Sequence, residues 1–224
     1  MKRSLLALLV AILCFSSCKK NNINKTTAKT DPPNTVTING TLYPTAVIAE
    51  KTWTVRNYNG ADGVDYIEGH NDTTKGKLYT QSEAKAIKVP IGWRLPSQAD
   101  YNTLLDLIGN LSDGNGHYIG NDNSKPQMLI STSGWDYGSG TNATGFNAHP
   151  AGYYAVDSGD AIYLDAGWST HLVTSSTYPA GDSIGAGAVW IIIYEDAYSR
   201  LGAGENSGTT SPADRGSVRF VKDN

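Results

Sequence analysis

Two periodicities divide the chain. From Thr35 the stretch TVTINGTLYPTAVIAEKTWTVRNY alternates apolar and polar residues, the spacing of strands with one buried face, and Asn39-Gly40 marks a tight turn between them. Two or three strands are expected there, followed by a polar loop, YNGADGVDYIEGHNDTTKGK. The period then becomes helical. Residues 80–88 (TQSEAKAIK) predict a short helix, and Pro96-Ser97 opens a better one. Ser97 is placed to cap it, Asp100 is its third residue, and Tyr101, Leu104, Leu105 and Ile108 recur on one face. Gly109-Asn110 is its stop signal. Beyond that the chain consists of short apolar runs separated by Gly, Asn, Ser and Pro. The strongest core strand is AVWIIIYED (188–196), with Trp190 inside it, and SVRFVKD (217–223) closes the chain as a strand. No repeat and no second linker interrupts this order, so the pattern predicts one α+β domain over residues 35–224.

The first thirty-odd residues follow a different logic. Met1-Lys2-Arg3 is a short positive start, and the apolar run from Leu5 to Phe15 is too short for a stable membrane span. Ser16-Ser17-Cys18 then resembles the lipobox of bacterial lipoproteins, in which the cysteine is lipidated and the peptide is cut just before it. Residues 1–17 are therefore expected to be a signal peptide. Residues 18–34, rich in Lys, Asn and Thr and ending in Asp31-Pro32-Pro33-Asn34, are expected to be a lipidated tether that buries no apolar surface. Several acyl chains on Cys18 would hold the protein stably at the outer membrane of the cell envelope, on its periplasmic or its surface face. Cys14 lies in the discarded run, so no thiol remains for a disulfide, a zinc site or a nucleophile. Loss of Lys2 and Arg3 takes the formal charge from −3 to −5. With charged residues at only 17% and no basic stripe, nucleic acid is excluded as a partner.

Several segments occur in a telling order: KTWTVRNYN (51–59), GKLYTQSEA (76–84), PIGWRLPSQADYNTL (90–104), STSGW (131–135), GFNAHPAGYY (145–154) and GSVRFVKD (216–223). Together they resemble the Fibrobacter succinogenes major paralogous domain, a family of secreted and lipidated bacterial proteins. The resemblance covers nearly all of the chain after the tether. It implies an α+β, C-type-lectin-like fold, distantly similar to that of formylglycine-generating enzymes, and it implies no particular activity. Relatives often carry Cys before the Pro of the GWRLP segment and in the closing VRCVKD, where this chain has Val89 and Phe220. If those cysteines pair in relatives, apolar packing replaces the staple here. The lectin calcium signature is absent, so calcium-dependent sugar binding does not carry over.

Within GWRLPS, Trp93 and Arg94 are expected to be scaffold, a clamp pinning the helix onto a sheet with Arg94 bridging backbone carbonyls. Gly181-Asp182-Ser183-Ile184-Gly185 matches the nucleophile-elbow pattern, but a loop precedes it, a strand follows, and no His lies beyond it. His70, His117, His149 and His171 lack metal-ligand spacing. The loop SDGNGHYIGNDN (112–123) has oxygen donors for calcium but no closing acidic ligand, and Glu195-Asp196 is one acidic pair at a strand end. Two triplets, Asp72-Thr73-Thr74 and Asp182-Ser183-Ile184, resemble an O-glycosylation acceptor. No catalytic residue, metal or cofactor is expected. Aromatic residues on polar loops remain, and Trp135, Tyr137 and Trp168 are the candidate ligand contacts; the alternative, favoured for Trp135, is that they plug gaps in a loop-heavy fold. The function expected is a non-catalytic binding module for a glycan or a protein; the alternatives are an envelope glycan hydrolase or a structural or adhesin subunit.

Overall fold

The structure, a computed structural model, describes residues 34–108, 125–136, 138–157, 159–177, 188–195, 201–206 and 211–224. Asp31–Asn224 forms one compact unit. It opens with β1 (Thr35–Ile38), β2 (Thr41–Ile48) and β3 (Lys51–Thr54), an antiparallel meander. Asn39 and Gly40 both have positive φ, 48° and 81°, as a two-residue hairpin turn of the primed type requires. β4 (Val64–Asp65) and β5 (Lys77–Tyr79) precede α1 (Gln81–Ala86), and β6 (Trp93–Arg94) precedes α2 (Gln98–Asp106). After a 3₁₀ turn at Pro126–Met128 come β7 (Ala151–Asp157), β8 (Asp160–Ala166) and β9 (Ser169–Thr177). β10 (Ala188–Glu195), β11 (Leu201–Asn206), β12 (Gly216–Ser217) and β13 (Val221–Asp223) complete the order.

The strands form two curled sheets. The first runs β1-β2-β3-β13-β6, and the second runs β11-β10-β9-β12-β5-β4, with the β7–β8 hairpin joined to β9. Two hydrophobic clusters fill the space between them. One gathers Trp53, Tyr101, Leu104, Leu105, Phe146, Leu172, Ile193 and Val221, so α2 is buried against strands of both sheets. The other gathers Val36, Tyr43, Tyr58, Tyr79, Ala84, Val218 and Phe220. Val89 packs against this second cluster too, so both positions where relatives often carry cysteine lie in one apolar patch.

Both helices lie where the pattern placed them, each with a capping box: Thr80 with Glu83, and Ser97 with Asp100. The α+β, C-type-lectin-like fold is nevertheless not what forms. Among the described residues the chain is mostly β, with thirteen strands against two short α-helices and one 3₁₀ turn. The reason is length. α1 has six residues and α2 nine, so each helix covers one part of a core that the strands mainly build. A second correction concerns the closing segment. SVRFVKD is not one strand: Ser217 pairs with Leu78 and Leu172 in the second sheet, whereas Val221 pairs with Trp53 and Arg94 in the first. Residues 218–220 cross between the sheets and carry Arg219 inward. The strand at 188–196 is present as β10, central between β9 and β11, with Ile193 buried; the side chain of Trp190 lies outside the described residues.

Candidate functional site

The segments shared with the family resemblance turn out to build the frame. Arg219 is wholly buried, and its guanidinium bonds two other segments. Nε donates to Asn57 Oδ1 at 2.6 Å, Nη1 donates to the carbonyls of Thr54 and Phe146 at 3.0 and 2.9 Å, and Nη2 donates to that of Asn147 at 2.9 Å. Its face also lies 4.9 Å from the Phe146 ring centroid. Burial lowers the guanidinium to about 9, which still leaves it charged at neutral pH. Arg219 thus ties 51–59, 145–154 and 216–223 together.

Arg94 supplies a second tie, with different partners from those expected. It bonds carboxylates rather than carbonyls: Asp100 accepts from Nη1 and Nη2 at 2.5 and 2.9 Å, and Asp223 accepts from Nη2 at 3.1 and 3.2 Å. Lys51 joins both acids. Burial alone would raise the Asp100 carboxyl, but bonds from Arg94 and from Ser97 outweigh it and hold the group well below the carboxylate range. Trp93 is half-buried against the second cluster, which agrees with a scaffold role but makes it a smaller anchor than Trp53.

Of the aromatic candidates, Trp135 and Trp168 fall into one neighbourhood but different environments. Trp135 is 6% exposed in the first cluster, and its Nε1 donates to Ser131 Oγ at 3.2 Å, so its ring contributes mainly to the core. Trp168 is 38% exposed on the turn between β8 and β9. Three backbone bonds brace that turn. Asp136 N–H donates to Gly167 O at 3.0 Å, Gly167 N–H to Pro150 O at 3.0 Å, and Trp168 N–H to Asp165 O at 2.9 Å. Gly167 has φ 91°, which side-chain-bearing residues rarely adopt, and a Cβ there would come within 2.5 Å of an Asp136 carboxylate oxygen and force that side chain to move. Burial raises the Asp165 carboxyl beside this turn. Tyr137 lies outside the described residues.

A concavity lies elsewhere in the fold. A cleft of about 310 Å³ opens between α1 and the loop after Tyr58, with Asp62 and Ala61 on one wall and Glu83, Ala86 and Lys88 on the other. The sequence offered no motif for it, because its residues come from segments with no shared spacing. Burial alone would raise Glu83, but bonds from Thr80 N–H and Arg215 outweigh it and lower the carboxyl. An acid held ionised in this way is the opposite of the proton donor that glycoside hydrolysis needs.

The other candidates separate cleanly. His171 is buried, stacked on Tyr153 with 4.1 Å between ring centroids, and burial pushes its imidazole down to about 3. Burial, then the Arg219 charge, pushes His149 down to about 4. His70 is exposed and bridges to Ile67. Asp72 accepts from Thr74 N–H at 2.8 Å, an Asx turn on an exposed loop. Among the described residues no three His, Cys, Asp or Glu converge on a metal position. Cys18, His117, the 112–123 loop, the 181–185 motif and the side chains of Glu195 and Asp196 lie outside the described residues.

The family model described as the Fibrobacter succinogenes major domain matches residues 17–222. No curated protein and no solved structure matches the chain. With nearly its whole length covered, the chain belongs to the Fibrobacter succinogenes major domain family.

Proposed function

We propose that this is a lipid-anchored cell-envelope protein whose β domain binds a glycan without catalysis, using the turn that presents Trp168. The supporting observation is the exposed Trp168 on a turn braced from two sides, with the Asp136 carboxylate against the neighbouring Gly167 and Asp165 three residues before it in the same turn. An aromatic face flanked by hydrogen-bond acceptors suits a sugar ring, with its apolar face and its hydroxyl edge. Trp135 supports the loop from within the core, and Tyr137, next to Asp136, completes the proposed contact set. The anchor rests on Cys18 and the apolar run before it. No helix among the described residues is long and apolar enough to cross a membrane.

A glycan array followed by calorimetric titration of the full chain tests the site. Trp168→Ala is expected to weaken the best glycan about threefold to tenfold, the worth of one stacking contact of about 0.5–1.5 kcal/mol. EDTA should leave binding unchanged. Unaltered affinity in Trp168→Ala, or binding only to a protein, overturns the reading; turnover of the bound glycan supports a hydrolase instead. Cys18→Ala should release the protein from membranes or block its processing, which detergent partitioning and mass spectrometry of the mature N-terminus would show. An unlipidated wild type refutes the anchor.

A further inference from the structure

We propose that the cleft between α1 and the loop after Tyr58 is a separate binding site for a single neutral sugar ring. The inference does not depend on Trp168. The volume of about 310 Å³ lies at the small end of the ~300–1,000 Å³ typical of small-molecule sites, which favours one ring over an oligosaccharide. Its walls are preorganised. Tyr58 and Tyr79 form a buried floor, Asn39 Nδ2 lies 2.8 Å from Tyr58 Oη, and Tyr79 Oη donates to Gly60 O at 3.2 Å. Gly60 rides directly on Tyr58, where any Cβ would collide with the phenol. On the opposite side α1 is held by its capping box and by Gln81 Nε2, which donates to the carbonyls of Thr174 and Ser176 at 2.8 and 2.6 Å.

The lining then selects the chemistry. The charge of Glu83 is already balanced by Arg215. That leaves Asp62 and Lys88, one charge of each sign, neither in an ion pair among the described residues. A net anion would meet Asp62, and a net cation would meet Lys88. A neutral polyol avoids both penalties and can use the carboxylate as acceptor, the ammonium as donor and the Asn39 amide as either. Ala86 and Ile87 give the apolar strip on which a ring face can lie.

The test is titration of the full chain, in a detergent without a sugar headgroup, with glucose, galactose, mannose and N-acetylglucosamine, and with glycine and inorganic phosphate as charged probes. At least one neutral sugar should bind. Ala86→Trp, a change at an exposed rim position, should fill the cleft and weaken that sugar about tenfold or more. Lys88→Ala should weaken it about threefold to tenfold without steric filling, and Trp168→Ala should leave it unchanged. Absence of sugar binding, tighter binding of glycine or phosphate, or unchanged affinity in Ala86→Trp and Lys88→Ala overturns the proposal. If Trp168→Ala alone removes the sugar, the ring sits on the β8–β9 turn and the cleft assignment fails while the earlier reading stands.

Discussion

Arg219 shows how one side chain can set the relation of two sheets. It enters where the chain changes sheet, and its bonds go to three carbonyls and one amide oxygen instead of a carboxylate. Such a charge is tolerable only because its donors are met, and a shorter or less planar cation cannot meet them. Arg219→Lys is therefore expected to cost about 3 kcal/mol or more, since a lone ammonium leaves several buried carbonyls unsatisfied at about 1–3 kcal/mol each. Urea melts of the variant would check this, and a melt within error of wild type would show that the carbonyls are met some other way. Two tryptophans extend the argument. Trp53, wholly buried between Tyr101 and Phe146, should cost about 3–5 kcal/mol when cut to Ala. Half-buried Trp93 should cost clearly less, although the sequence around it, GWRLP, is the more conspicuous.

At the scale of elements, local chemistry was legible and partnership was not. The Asn39-Gly40 turn and both capping residues follow from short-range rules, because the groups that satisfy one another lie within four residues. The β2–β3 turn hid from those rules. Ala49 and Glu50 both have positive φ, 49° and 63°, although neither residue favours that region. Its partners explain how it persists: Asn224 Nδ2 donates to Glu50 O at 2.9 Å, and Lys51 is tied to Asp100 and Asp223. Glu50→Gly should relieve the strain and stabilise the domain by about 1 kcal/mol, less some unfolded-state entropy. A lower denaturation midpoint would show that the Glu50 side chain contributes more than its backbone costs. The helix network gives the converse case. Asp100→Asn removes the negative charge and one of the two acceptor oxygens that Arg94, Lys51 and Ser97 share, and should cost about 1–3 kcal/mol. Truncating the exposed Asp223 should matter less, because solvent already screens that pair.

At the scale of the molecule, the balance of strand over helix and the crossing at residues 218–220 depend on which distant segments pair, and alternation along the chain carries no such information. The same limit applied to the candidate site. Trp135 and Trp168 had similar Gly-rich surroundings in sequence, yet one turned into the core and the other to solvent, and the cleft at α1 left no sequence trace. Two desolvated histidines add a property of the whole fold that composition could not suggest. An unfolded imidazole titrates near pH 6.5, whereas folded His171 stays neutral down to about 3. Across that window the unfolded chain binds the extra proton, so stability rises with pH and is lost on acidification. His171 alone should remove about 2 kcal/mol between pH 7 and pH 5. His149, lowered to about 4, acts in the same direction but less, being partly exposed. The carboxylates of Glu83 and Asp100, both lowered in the fold, contribute above their unfolded range and are lost only as the pH falls below about 4. The acid transition should therefore begin near pH 6.5, well before the carboxylates titrate. Urea melts of wild type and His171→Gln at pH 7 and pH 5 separate the two contributions. The variant should start less stable, because it gives up the stacking on Tyr153, but should lose about 2 kcal/mol less on acidification. Equal losses in the two proteins would mean that His171 takes up its proton within the fold, and that the β7–β9 face opens to admit it.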